Sequence, residues 1–183
     1  MQIHPTTLPG VLIIEPKVFG DERGYFMETW SHGRYAEGVT PDNFVQDNVS
    51  FSRKGVLRGL HFQTINPQGK LVYVLQGEVF DVAVDIRVGS PTFGQWTSII
   101  LSAENKKQFY VPKGFAHGFC VTSETALFAY KCTDIYNPAG EGSVLWNDPE
   151  LNIPWPVDVP ELAAKDAAGL KLADFPKERL PQF

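Results

Sequence analysis

Two histidines stand beside glycines in short apolar runs, His61 in GLHFQ (59–63) and His117 in PKGFAHGF (112–119). Imidazole changes charge near neutral pH, so a histidine on a strand can move a proton, bind a substrate, ligate a metal or complete a core. Strand alternation says what each one shares a face with. His61 goes with Gly59 and Gln63, and His117 with Phe119 and Val121. The same period groups Phe26 with Glu28, Gln46 with Asn48, Lys70 with Val72 and Val74, and Tyr130 with Phe128 and Cys132. Singly, each such face reads as the wet side of a sandwich. As a set, they have the make-up of an apolar cavity with a few polar groups that holds a small molecule, with acid–base or binding roles for the histidines. Arg58 breaks the pattern, because strict alternation turns it away from His61. A bulge at Gly59 would bring both to one face.

The elements that must hold these groups are strands. The runs are VLII (11–14), GYFMETW (24–30), NFVQDNVSF (43–51), VLRGLHFQ (56–63), KLVYVLQ (70–76), EVFDVAVDIR (78–87), WTSIILS (96–102), KQFYVP (107–112), HGFCVT (117–122) and TALFAYKC (125–132). They are rich in Val, Ile, Phe and Tyr, and Gly, Pro, Asn or Ser punctuates the short gaps between them. With no long helical pattern in the gaps, this predicts an all-β sandwich or jelly roll rather than βαβ units. In DVAVDIR, Asp81, Ala83, Asp85 and Arg87 share one face, and Val82, Val84 and Ile86 the other. Beyond about residue 137 the texture changes: NPAGEG and WNDPELNIPWP are dense in Pro, Asn and Asp, and ELAAKDAAG reads as a short helix or turn. We read residues 1–183 as one domain, with a barrel core over about 10–136 and a C-terminal arm, 137–183, folded over it.

Composition bounds the possibilities. Of 183 residues, 43% are hydrophobic and 20% charged, with 16 glycines and 14 prolines, which excludes a disordered chain, a collagen or a coiled coil. A chain of this length buries roughly 70% of its unfolded surface, enough for a core without staples. A net charge of −5 argues against binding of nucleic acid, but leaves room for a small anionic ligand held by a few Arg and Lys. There is no basic start followed by an apolar stretch, no run near the roughly 18 apolar residues of a membrane span, and no prenylation signal in the terminal LPQF. No membrane partner and a cytoplasmic location are therefore expected. Cys120 and Cys132 lie in strand-like runs and read as reduced core thiols.

The spacing G-x-H, followed later by P-x-G-x-x-H, resembles the outline of the cupin barrel. Metal-binding cupins supply two histidines at i and i+2, then a Glu, then a third histidine. Here position 63 is Gln, and Pro67 and Gln68 stand where the Glu would be, so only His61 and His117 remain. A transition metal usually wants three or four ligands of the right type, so the expectation is no metal and no cofactor. Longer strings carry a closer resemblance. FGDERGYFMETW (19–30), QDNVSFSRKGVLRGLHFQ (46–63), GKLVYVLQGEVFDVAVDIRVGSPTFGQW (69–96), VPKGFAHGF (111–119), YKCTDIY (130–136) and WNDPELNIPWP (146–156) run over nearly the whole chain. They are similar to the dTDP-4-dehydrorhamnose 3,5-epimerase family. Its members are metal-free cupin jelly rolls that form dimers and invert C3 and C5 of dTDP-4-keto-6-deoxyglucose on the way to dTDP-L-rhamnose.

The resemblance implies roles for particular residues. His61 resembles the family's base, and Asp166, in AAKDAAG, the carboxylate that orients it. Lys70 would sit at the ketone oxygen, where an enolate gathers charge. Tyr130 resembles the general acid, acting from the face opposite His61. Arg23 and Arg58 resemble the residues that hold the pyrophosphate, with Lys165 adding charge. Glu28, Gln46, Asn48, His117 and Glu141 match contacts to sugar or base, and Phe26 and Tyr136 match apolar or stacking surfaces for thymine. The family further implies a homodimer in which the N-terminal strand crosses over, so that Arg23, Phe26 and Glu28 complete the neighbour's site. One departure is Tyr73, where the family often has Arg; by parity it faces away from Lys70, and its effect falls on packing. Three alternatives remain: an enzyme inverting one carbon only, a silent sugar-nucleotide binder, and a metal-dependent cupin oxygenase or isomerase.

Overall fold

Valines, isoleucines and aromatics pack well on a pleated surface, and the runs rich in them become the strands of the computed structural model, which describes residues 1–183. In chain order the elements are β1 (Gln2–Pro5), β2 (Leu12–Glu15), β3 (Val18–Asp21), β4 (Gly24–Met27), α1 (His32–Gly38), β5 (Gln46–Arg53), β6 (Leu57–Gln63) and β7 (Lys70–Gln76). They continue with β8 (Glu78–Asp85), β9 (Trp96–Ser102), β10 (Gln108–Val111), β11 (Phe115–Val121), β12 (Thr125–Cys132), β13 (Glu141–Ser143) and α2 (Ala164–Ala167). Two sheets face each other as a jelly roll. One has the order β1-β2-β10-β7-β12-β5 and the other β13-β6-β11-β8-β9. The hairpin β3–β4 pairs only with itself.

The main core lies between the sheets. Val72 and Val74 of β7, Phe109 of β10 and Phe128 of β12 meet Val79 and Ala83 of β8 and Phe119 and Val121 of β11. Phe119 and Phe128 stack with ring centroids 4.1 Å apart. Each fully buried Val, Leu or Phe contributes about 1.5–3 kcal/mol relative to exposure. A second core lies on the outer face of the five-stranded sheet. There Leu60, Phe62, Val82 and Val84 pack under Leu151, Leu172, Phe175 and Leu180 of the arm. The alternation of β8 thus separates two cores rather than core from solvent, and Asp81 and Asp85 are both fully buried.

The structure departs from the sequence pattern at the N-terminus. The run over 24–30 is strand only as far as Met27, and its partner β3 was not foreseen. β1 lies ahead of the expected core and pairs with β2. Helix α1 carries no apolar stripe; Tyr35 is its one buried residue, and its hydroxyl donates to Gln108 Oε1 at 2.7 Å. A helix this short depends on such tertiary ties rather than on propensity. Cys120 and Cys132 are buried and unpaired. No helix is long and apolar enough to cross a membrane.

Candidate active site

A bulge sets the site. Arg58 pairs with Phe119 and His61 with His117, so β6 uses one residue more than β11 over this stretch. Gly59 provides the extra step at φ +123, where a Cβ would strike Gly118 and the His117 carbonyl. Cross-strand partners share a face, and Phe119 faces the main core while His117 stacks on that core's Phe128, so Arg58 and His61 both point inward. The sequence left open whether Gly59 re-aims Arg58; the bulge that does so is present.

Beneath it is a cavity of about 330 Å³. His61, Lys70, Tyr130 and Asp166 line it. So do Gln46, Asn48, Arg58 and His117, and, from the arm side, Tyr136, Glu141 and Lys165. Three sequence candidates are not brought there within this chain. Arg23 sits on the free hairpin and pairs with Asp21, Phe26 is 69% exposed on the same hairpin, and Glu28 pairs with Arg34 at 3.2 Å.

His61 Nε2 and Asp166 Oδ1 are 2.5 Å apart. Asp166 is 1% exposed, and its other oxygen accepts the Gly59 N–H at 3.4 Å. The carboxylate draws the imidazole proton to Nε2, leaving the Nδ1 lone pair, unbonded within the chain, to face the cavity. Burial pushes the Lys70 ammonium below its ordinary value, while Cys132, Asp81 and Glu141 work the other way. Burial pushes the Tyr130 phenol up, Cys132 adds to the rise, and Arg58 opposes it. Neither tip is tied down by a hydrogen bond from the protein, so both are left to a ligand. At the rim, burial opposes the charge of Glu141, but bonds from Lys165 (2.7 Å) and Tyr136 (3.1 Å) win and hold its carboxyl low.

Gln63 and Gln68 also line the cavity and were not foreseen as working residues. Gln63 Nε2 donates to the carbonyls of Ile135 and Asn66, and its oxygen accepts the Asn137 N–H. Gln68 Nε2 donates to the Asp134 carbonyl at 2.8 Å. Together they fasten the loops after β6 and β12. Only the parity of Gln63 with His61 hinted at this; nothing in the pattern marked Gln68. No three His, Cys, Asp or Glu side chains converge as a ligand set would.

A family model described as dTDP-4-dehydrorhamnose 3,5-epimerase matches residues 5–174. The chain belongs to this family. Among curated relatives, the dTDP-4-dehydrorhamnose 3,5-epimerase of Salmonella typhimurium is 58% identical over 171 residues, spanning 92% of this chain and 93% of that one. The Neisseria gonorrhoeae protein of the same name is 54% identical over 181 residues, or 98% of this chain; the chain spans 55% of its length. Among solved structures, the dTDP-6-deoxy-D-glucose-3,5-epimerase of Legionella pneumophila, in complex with dTDP-4-keto-L-rhamnose, has a TM-score of 0.97 at 57% identity, covering 100% of this chain and 98% of that one. This 3,5-epimerase family member therefore combines in one cavity a carboxylate-backed imidazole, an unbonded ammonium and an unbonded phenol. Such a set can take a proton from carbon beside a ketone, hold the resulting oxyanion and return a proton.

Proposed function

We propose that this chain inverts C3 and C5 of dTDP-4-keto-6-deoxyglucose, giving dTDP-4-keto-L-rhamnose in L-rhamnose biosynthesis. The observation that carries this reading is the origin of the two proton-moving groups. His61 projects from the five-stranded sheet and Tyr130 from the six-stranded sheet, into the same cavity. A hexose between the sheets would meet a base on one face and an acid on the other.

In each half-reaction, His61 Nδ1 takes the proton from the carbon beside the C4 ketone. The C–H electron pair moves into the C–C bond and onto O4, making an enolate. The Lys70 ammonium is there before the charge forms, which is when a fixed cation helps most. Collapse of the enolate draws a proton from Tyr130 Oη onto the opposite face, and the configuration inverts. Asp166 steadies the imidazolium meanwhile, and solvent exchange resets the two groups. No step requires a metal or a redox cofactor.

Arg58, held by a 3.1 Å bond from its Nε to Ser52 Oγ, and Lys165 suit the pyrophosphate at the mouth. Tyr136, Gln46, Asn48, His117 and Glu141 suit the sugar and thymine. The neighbour supplies the rest. The hairpin exposes Phe19, Tyr25 and Phe26, and the edge strand β5 exposes Val49 and Phe51. In a homodimer with exchanged N-terminal strands these surfaces are covered, and Arg23, Phe26 and Glu28 reach the partner's cavity. The same reading takes the barrel and arm of residues 1–183 as one domain and puts the protein in the cytoplasm, where two free thiols persist.

Turnover of dTDP-4-keto-6-deoxyglucose in D2O tests the reading. Deuterium at both C3 and C5 is the expected result. Label at one carbon would make it a single-carbon epimerase. Tight dTDP binding without any exchange would make it a silent binder, and loss of turnover on chelation would restore the metal-dependent reading.

A further inference from the structure

Asp81 is a buried carboxylate that the proton transfers leave unused. It points from β8 into the space between the sheets and is fully buried. Its Oδ1 accepts a hydrogen bond from His117 Nε2 at 2.9 Å. Its Oδ2 is sealed from solvent with no partner. A buried acceptor left unsatisfied is costly, more so when charged, and the core neighbours Val79 and Ala83 show that an apolar side chain suits this face.

Its surroundings suggest what offsets that cost. His117 is the cross-strand partner of His61, so the Asp81–His117 pair lies one strand over from the Asp166–His61 pair. In both pairs the ring gives Nε2 to a carboxylate and keeps Nδ1 free of bonds within the chain. Lys70 faces the same space. Around it stand Cys132 and Tyr130 from β12, Asp81 from β8, His117 from β11, His61 from β6, Glu141 from β13, and Lys165 and Asp166 from α2. Burial works against the ammonium, and the Asp81 charge works for it; burial also pushes the Asp81 carboxyl up, and His117 and Lys70 oppose that rise.

Given the epimerase reading of the cavity, on which this rests, we propose that Asp81 is a positioning residue of the reaction. Its Oδ1 fixes the His117 ring with Nδ1 turned toward the hexose, and its unpaired Oδ2 is the buried counter-charge of the Lys70 ammonium. The two tasks separate by mutation. In Asp81→Asn an amide oxygen still accepts from His117, but the charge is gone. Asp81→Leu removes both.

Burial lowers Lys70, so as pH rises it loses its proton at lower pH than a free lysine would. Without the Asp81 charge it does so at lower pH still. The alkaline limb of kcat in D81N therefore moves down by about one pH unit, with KM little changed. D81L shows the same shift and a KM raised about tenfold or more. A D81N limb that coincides with wild type overturns the counter-charge, and an unchanged KM in D81L overturns the orienting role. Should either variant fold poorly, 15N NMR of the native protein decides the orienting half: His117 protonated on Nε2 with bare Nδ1 is expected, and the opposite tautomer overturns it. A wild-type protein that exchanges no sugar proton overturns the epimerase reading instead; normal wild-type turnover beside an unshifted D81N limb overturns only the proposal for Asp81.

Discussion

In the proposed reaction His61 abstracts a proton only while its ring is neutral and held with Nδ1 toward the sugar, and Asp166 governs the second condition. His61→Ala should lower kcat by about 10²–10⁴, the usual contribution of general acid–base catalysis, measured by steady-state turnover. Tyr130→Phe should separate the two halves of the reaction. His61 can still remove a proton and return it from the same side, so NMR should show solvent deuterium entering the sugar while formation of the inverted product falls away. In the proposed reaction Lys70 sets an alkaline limit. Burial lowers its folded value, so activity is present below that value and lost as pH rises through it, at lower pH than a free lysine would give. At this scale the sequence was readable where a motif named the residue. His61, Lys70 and Tyr130 stand in long strings, and alternation gave their faces. Asp166 was reached only by resemblance, because periodicity does not link residues 105 positions apart. Asp81 was overlooked as a working group because an inward face looks the same in sequence whether it meets a core or a cavity.

Elements turn these residues into a site, and the bulge in β6 is the most exposed to mutation. Gly59 at φ +123 abuts Gly118 and the His117 carbonyl. Gly59→Ala forces either an unfavourable backbone or a shift of β11, with a cost of about 1–3 kcal/mol. Melting temperature, dTDP affinity and turnover should fall together, since the bulge aims both Arg58 and His61; a variant that lost only stability would show that it aims neither. The end of β8 makes a separate prediction. Burial opposes the Asp85 charge, but bonds from Arg87, Ser90 and Thr92 prevail and hold its carboxyl at about 2. The folded value lies below the ordinary carboxyl value of 3.8, so the stabilisation is complete above about 4 and is lost as pH falls toward 2. Asp85→Asn should therefore melt lower than wild type at pH 7, by about 2 kcal/mol, with the gap closing near pH 2. The central strands were legible because each is buried on at least one face and carries the period of two. β3 and α1 were not, because the hairpin is exposed except at the half-buried Met27 and the helix buries a single residue.

The two sheets interleave strands distant in sequence, with β10 between β2 and β7, and no local period encodes that order. Nor does any local pattern say which surface the proposed second copy would cover. The structure supplies the clue: the hairpin pairs with nothing in its own chain, and β5 leaves Val49 62% and Phe51 59% exposed at a sheet edge. Large exposed apolar patches mark association surfaces. Phe51→Glu should shift the protein toward monomer in sedimentation, with loss of turnover in proportion. The sharper test asks whether one site draws on two chains. If Arg23 serves the neighbour's cavity, Arg23→Ala and His61→Ala damage opposite contributions to it. Each homodimer then has two defective sites. In a mixed dimer, however, one site receives both lesions and the other receives Arg23 from the H61A chain and His61 from the R23A chain. Co-refolding equal amounts of two nearly inactive variants should restore activity in about a quarter of all sites, as twofold symmetry and random pairing require. If Arg23 instead turned back into its own cavity, every site of every dimer would carry a lesion, and mixing would restore nothing.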